Sequence, residues 1–278
     1  MGGRGLQGRG STVLLSAALG LFTLVNLLPI VHGVLTSIKL PVDAFAVPVR
    51  WVFEPTLAHH RAIWVEKPFL RYLGNSTLIA LGTVAISVPV GTLAAYALSR
   101  IRTRRSQALL FGLLAIRMFP RMLLLIPFFV LARTLGLFDT HLIVILVMVA
   151  VNQPFTIWLM RGFFLDIPVE LDEAARIDGC RPFEVFWRVI LPVAKPGLVA
   201  TSLFSLLLAY NEFLFPLILT GTAAKPLPVA ISEYGAEHIE YWSLSAAGAI
   251  GIMAPIVVFM IVVQRHITRG LTFGAVKG

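Results

Sequence analysis

Ionisable and amide side chains set inside long apolar stretches are the first residues of this sequence with chemistry to offer. Arg117 and Arg121 interrupt one such stretch, Asn211 and Glu212 a second, and Asn152 and Gln153 a third. A charge surrounded by hydrocarbon is costly, so residues of this kind mark a solute or ion pathway, or else an ion pair that fixes helix packing. The two arginines stand four residues apart, which on an unbroken helix puts them on one face. Arg161, at the inner end of its run, goes with the segment that follows, so these two are the only cations well inside such stretches, and Arg117 is predicted to lie close enough to compensate Glu212. Neutral amides, one carboxylate and aromatic faces suit a weak, transient site for a hydroxyl-rich solute.

Other chemistries lack their residues. A single cysteine, Cys180, excludes a disulfide framework and any multi-cysteine metal site. The six histidines are scattered, and the adjacent pair His59 and His60, with no further ligands nearby, reads as a solvated turn with no role assigned. No nucleophile converges with a base, which argues against a membrane-embedded enzyme. A phosphate-cradling loop ends in Gly-Lys, and none of the lysines at 39, 67, 195, 225 and 277 follows a glycine. Nucleotide chemistry is therefore expected on another polypeptide.

The elements that must position these residues are helices in lipid. With 58% hydrophobic residues, 13% charged and a mean hydropathy of +0.87, the composition lies outside the range of soluble domains. Runs of about 20 apolar residues cross a bilayer, and six are predicted: 12–38, 73–98, 108–132, 141–164, 197–219 and 244–264. They make one all-α membrane domain over 1–278, since barrels would show period-two alternation instead. Arg4 and Arg9 precede the first run as in a secretory signal, yet the run lacks a cleavage pattern and reads as a retained span. Pro120, Pro127, Pro154 and Pro216 are expected to kink helices where they line a cavity.

Lys and Arg set the orientation. With both termini inside, the inner segments hold fourteen basic residues, including Arg100, Arg102, Arg104 and Arg105, and the outer ones seven. The net charge of +9 is spread over such short segments, which is a membrane-loop pattern and not a nucleic-acid-binding one. The outer segment 39–72, with Trp51, Trp64 and four prolines, is expected to be extended and seated at the lipid interface.

The inner segment 165–196 is punctuated as two short helices. Pro168 suits a first turn, Glu170, Asp172 and Glu173 complement the positive end of the dipole, and Gly179 suits a left-handed residue after the end. Leu171, Ala174 and Ala175 form a small apolar stripe, the two alanines permitting close approach of another backbone. A second helix restarts at Pro182, pairs Glu184 with Arg188, and carries Phe183, Phe186, Trp187 and Ile190 on one apolar face up to Pro192. On periodicity alone, an amphipathic helix lying on the bilayer would fit equally.

The spacing Glu173-Ala174-Ala175, three residues, Gly179, nine residues, then Val189-Ile190-Leu191-Pro192 resembles the cytoplasmic loop of permease subunits of ABC importers, departing only in Val for Ile. The tail from Gly270 to Gly278, with Met118-Phe119-Pro120 and Asn211-Glu212-Phe213, is similar to the smaller permease of the maltose-type carbohydrate family. The resemblance implies an ABC importer type I transmembrane domain in a bacterial or archaeal inner membrane. Its loop residues Glu173, Ala174, Ala175, Gly179, Leu191 and Pro192 would couple to an ATPase dimer holding ATP and Mg, with no cofactor in this chain. It further implies a second permease subunit, an extracytoplasmic solute-binding protein and a sugar or polyol as solute. Arg117, Asn152, Gln153, Asn211 and Glu212 are the candidates for the pathway. A secondary transporter is the alternative; it would show two related halves, and no internal repeat is present.

Overall fold

The computed structural model describes residues 4–101, 103–234 and 241–272, with side chains described over 12–261. Arg102 and the end of the tail, 273–278, lie outside the described residues. The described residues are helical, without a strand, and fall into two compact units, 1–68 with 231–253 and 69–230 with 254–278.

In the first unit, helix α1 (Arg4–Ser37) contains an 18-residue stretch within 12–37 whose mean hydropathy is 2.2 and in which no residue is buried. The loop after it is not the extended segment expected from its prolines. It forms α2 (Pro41–Ala44) and α3 (Ala58–Arg61), which runs on as a π-helical turn, Ala62–Glu66, and it folds back so that Thr56 N–H donates to Ile38 O at 2.8 Å. The cause is Lys39, only 2% exposed. A buried ammonium needs acceptors; its Nζ donates to Arg50 O at 2.7 Å and lies 4.9 Å from the Phe53 ring centroid. Arg50 in turn pairs with Asp43 at 2.7 Å.

The two histidines are therefore not a solvated turn. His59 Nε2 lies 3.2 Å from Lys39 O and His60 Nε2 3.1 Å from Ser37 Oγ, tying α3 to the end of α1. Burial, and then the neighbouring His59, hold the His60 imidazole below its ordinary value of 6.5. A folded-state value below the unfolded one means that the anchor is complete above about pH 6.5 and is lost as pH falls below it. Amide hydrogen exchange over 58–66 is expected to accelerate between pH 7.5 and 5.5, after correction for intrinsic rates. His60→Gln should remove that acceleration; a profile unchanged by the substitution would discard the anchor.

In the second unit, α4 (Phe69–Arg100), α7 (His141–Leu165) and α11 (Lys195–Tyr210) pack along one another. Lipid supplies no hydrophobic drive between helices, so contact depends on small residues that admit close approach. A Cβ on Gly91 of α4 would stand 2.5 Å from Thr156 Cγ2 of α7, too close for any residue but glycine. One apolar core joins α4 and α7 to α12 (Leu214–Leu219) through Ile79, Val144, Met148, Phe215 and Leu219.

The run predicted as one helix over 108–132 is two, α5 (Arg104–Met118) and α6 (Arg121–Thr134), bent by 91°. Pro120 forces the preceding residue out of helical geometry, and Phe119 is extended at φ −64°, ψ 136°. The run predicted over 197–219 also breaks, between α11 and α12, upstream of Pro216, which sits in the first turn of α12 where its missing N–H costs little. Pro127 and Pro154 stay inside continuous helices. With α13 (Leu227–Tyr234) and α14 (Trp242–Thr272), the chain has among its described residues four unbroken helices long and apolar enough to span a membrane, α1, α4, α7 and α14. It has six such spans if the pairs α5 with α6 and 182–193 with α11, the latter bent by 79°, each count as one.

The turn between α6 and α7 holds the connection after α12. Asp139, at φ 60°, accepts backbone N–H groups of Gly221, Thr222, Ala223 and Ala224 at 2.8 to 3.2 Å. Burial alone would raise its carboxyl, but those four donors hold it below the ordinary carboxylate value.

Candidate functional site

The segment 165–196 folds as α8 (Glu170–Ile177), a turn, α9 (Pro182–Glu184), a π-helical turn Val185–Ile190 and α10 (Leu191–Val193). Gly179 has φ +88°, and two bonds close the end of α8: Gly179 N–H donates to Arg176 O and Cys180 N–H to Ala175 O, both at 3.0 Å. This is the left-handed ending that the glycine suggests. Glu184 takes the Arg181 N–H at 2.9 Å and lies 3.7 Å from Arg188.

Helix α8 has a buried face and an exposed one. Asp172 and Ala175 point inward, 3% and 6% exposed, while Glu173, Ala174 and Ile177 point outward. Of the two alanines predicted to admit a partner backbone, only Ala174 is therefore available, since Ala175 is packed with Val185, Phe186 and Ile190. The apolar face expected on the second helix is also divided. Phe186 and Ile190 are buried, whereas Phe183 and Trp187 are exposed and stacked, 6.4 Å apart at 12°. Leu191 is half-buried against the same core and Pro192 is exposed.

Asp172 is what fixes this loop to the membrane helices. Its Oδ2 accepts Arg100 Nε at 3.0 Å with Nη2 at 2.9 Å, its Oδ1 accepts the Tyr96 hydroxyl, and Arg100 Nη1 donates to Phe164 O at 2.9 Å. One carboxylate thus joins α8 to the ends of α4 and α7. Sequence reasoning gave Asp172 only to the helix dipole and Arg100 only to the basic bias. The signal available was a second acid beside Glu173, on the opposite helix face, and a tyrosine one turn before an arginine at the end of a span.

In the membrane helices, Glu212 Oε2 is 2.6 Å from Arg121 Nη2, and its Oε1 accepts Leu214 N–H at 3.0 Å. The predicted partner was Arg117. The break at Phe119 and Pro120 puts the two arginines on different helices, so they do not share a face, and Arg117 instead stacks over Phe155 at 5.0 Å. Arg117, Arg121, Asn152 and Glu212, with Phe119 and Phe128, line a cavity of about 300 Å³. Gln153 and Asn211 are not in its wall. Gln153 Nε2 donates to Ser87 O at 3.3 Å, and Asn211, exposed, donates to Leu207 O at 2.9 Å.

Up to six apolar spans, a two-helix loop clamped to the ends of α4 and α7, and a polar cavity beside broken helices are the features expected of the membrane part of an ABC importer. Residues 87–273 match the family described as binding-protein-dependent transport system inner membrane component. The chain is 41% identical over 226 residues, 80% of its length and 82% of the relative's, to the trehalose transport system permease protein SugB of Mycobacterium tuberculosis. It is 32% identical over 259 residues, 92% of its length and 90% of the relative's, to the sulfoquinovosyl glycerol transport system permease protein SmoH of Agrobacterium fabrum. A bacterial ABC transporter involved in the import of the acidic polysaccharide alginate superposes with a TM-score of 0.73 at 25% identity, over 93% of this chain and 97% of that one. The chain belongs to the binding-protein-dependent inner-membrane permease family; it is a transport component and not an enzyme, and membership disfavours a secondary transporter.

Breaking a buried ion pair on one side leaves the other charge uncompensated, at a cost of about 3 to 5 kcal/mol. Asp172→Ala is therefore expected to destabilise the loop by about 3 kcal/mol, while Glu173→Ala, exposed one residue on, should change stability by about 0.5 kcal/mol or less. Thermal melts of purified protein, with hydrogen exchange over 170–180, check the contrast. Equal effects at the two positions would remove Asp172 as the anchor.

Proposed function

We propose that this chain forms half of the translocation pathway of an ATP-driven importer for a sugar, oligosaccharide or polyol, and that a separate ATPase drives it through the loop 165–196. The observation that carries the reading is the arrangement of α8. Its outer face presents Glu173 and Ala174, while Asp172 behind them is locked to α4 and α7, so a displacement of the loop is transmitted to helices that pack the cavity-lining elements. Glu173, Ala174 and Gly179, with Leu191 and Pro192 at the foot of the second helix, form the coupling surface, and Ala175 supports it from within. ATP and Mg belong to an ATPase dimer, and a second permease subunit and a solute-binding protein complete the assembly as one permease domain, 1–278, with its partners. Relatives named for trehalose, sulfoquinovosyl glycerol and maltodextrin transport support the carbohydrate class.

Gly179 tests the coupling. A Cβ there would meet nothing within 4 Å, so only the left-handed backbone resists substitution, at about 1 to 2 kcal/mol. Gly179→Val and Glu173→Ala are expected to leave the membrane helices folded and the solute-binding protein bound, while uptake per ATP hydrolysed falls in reconstituted complexes. Normal uptake in both variants would sink the coupling assignment.

The basic bias of the loops supports a cytoplasmic position for both termini. Reporter fusions after Arg104 and after Cys180 should accordingly report the cytoplasm, and one after Ala58 the outside. The reverse pattern would overturn the orientation without touching the family.

A further inference from the structure

The charges around the cavity do not cancel. Glu212 is the one acidic residue in its wall, and that carboxylate is already engaged on both oxygens, by Arg121 at 2.6 Å and by Leu214 N–H at 3.0 Å. Arg117 stands in the same wall with no carboxylate within ion-pairing distance among the described residues. Its guanidinium lies 5.0 Å over the Phe155 ring, which orients it without neutralising it. The remaining side chains of the wall, Asn152 among them, are neutral. Arg117, exposed in the last turn of α5, therefore brings to the cavity a positive charge that no described carboxylate pairs, in a wall otherwise largely apolar, and its N–H donors can meet an anion there.

Resting on the permease reading, we propose that the solute passing this cavity is anionic, a carbohydrate or polyol bearing a carboxylate or phosphate-type group, and that Arg117 is the side chain that receives that group. The guanidinium fork matches planar and tetrahedral oxyanions through paired N–H donors, and the bond is charge-assisted. A neutral sugar would leave the fork partly unsatisfied, so Arg117 discriminates between a neutral solute and its acidic counterpart. Arg121 is less suited to this, because the Glu212 carboxylate at 2.6 Å already offsets its charge. Asn152, whose Nδ2 is buried without a hydrogen-bond partner, is placed in the same wall to serve a hydroxyl of such a solute.

The test uses the complete complex, with its second permease, ATPase and solute-binding protein, in proteoliposomes supplied with ATP. Uptake is measured over a panel of neutral probes, each paired with an acidic counterpart: glucose with glucuronate, galactobiose with digalacturonate, glycerol with glycerol 3-phosphate. Uptake is expected to favour an acidic member, the carboxylate and phosphate arms separating the two oxyanion types. Arg117→Gln should reduce that preference about tenfold or more, the loss of one charge-assisted bond, with the amount of assembled complex unchanged and Arg117→Lys intermediate. Neutral members taken up as well as acidic ones, or an acidic preference that survives Arg117→Gln, would overturn the proposal while leaving the importer intact. Failure of Arg117→Gln to assemble, with Arg117→Lys assembling, would overturn it by assigning Arg117 to a carboxylate of the second permease. If the assembled wild-type complex takes up no probe under ATP, the proposed import of a sugar or polyol falls, and the family membership stands.

Discussion

The carboxylate of Asp172 is the point on which the rest of the loop depends. An isolated helix of eight residues is unstable in water, because the cost of nucleating its first turn exceeds what so few hydrogen bonds return. Here α8 is held by a buried acid shared among the Arg100 guanidinium, the Tyr96 hydroxyl and, through Arg100, the Phe164 carbonyl. Desolvating such charges is expensive, and the carboxylate is tolerable there because both of its oxygens are engaged, Oδ2 by Arg100 and Oδ1 by Tyr96. The aromatic surround does this: Tyr96 lies 5.1 Å from Phe186 and 5.6 Å from Phe164, so the pair that closes the ion pair also closes the apolar core beneath α8. The loop is thus tied directly to the ends of two membrane helices.

A second constraint governs the interior. The proline at 120 removes a residue from helical geometry, and the resulting bend divides what would have been one arginine pair into two separate environments. Arg121 begins α6, where the helix dipole disfavours a cation, and Glu212 offsets this. Arg117 ends α5, where the dipole favours a cation, and it needs no carboxylate to be tolerated there. The asymmetry of the cavity follows from where the helix breaks.

Much of this was legible in the sequence and the rest was hidden for identifiable reasons. Apolar runs of span length and the punctuation at Pro168, Gly179 and Pro182 gave the helices and the loop, because each reports on local backbone preference. The choice of Arg121 over Arg117 was not legible, since i,i+4 reasoning presumes a continuous helix and Pro120 sits between them. The inward turn of Ala175 and Phe186, against the outward turn of Ala174 and Trp187, depends on what the loop packs on and not on its own periodicity. Lys39, His59 and His60 were missed for a similar reason: hydrophilic residues in a proline-rich segment read as solvated until the fold-back buries the ammonium and demands acceptors for it.

The 91° break between α5 and α6 has a bearing on hydration. Where a helix stops and another starts, the last carbonyls of one and the first amide N–H groups of the other lack intrahelical partners. Hydrocarbon can satisfy neither, so backbone of this kind is found only against protein or against water. The wall beside Arg117 is consequently wettable by its main chain, whatever side chains surround it. On the pathway proposed above, a solute shedding its own hydration there would meet main-chain donors and acceptors that no substitution of a side chain removes.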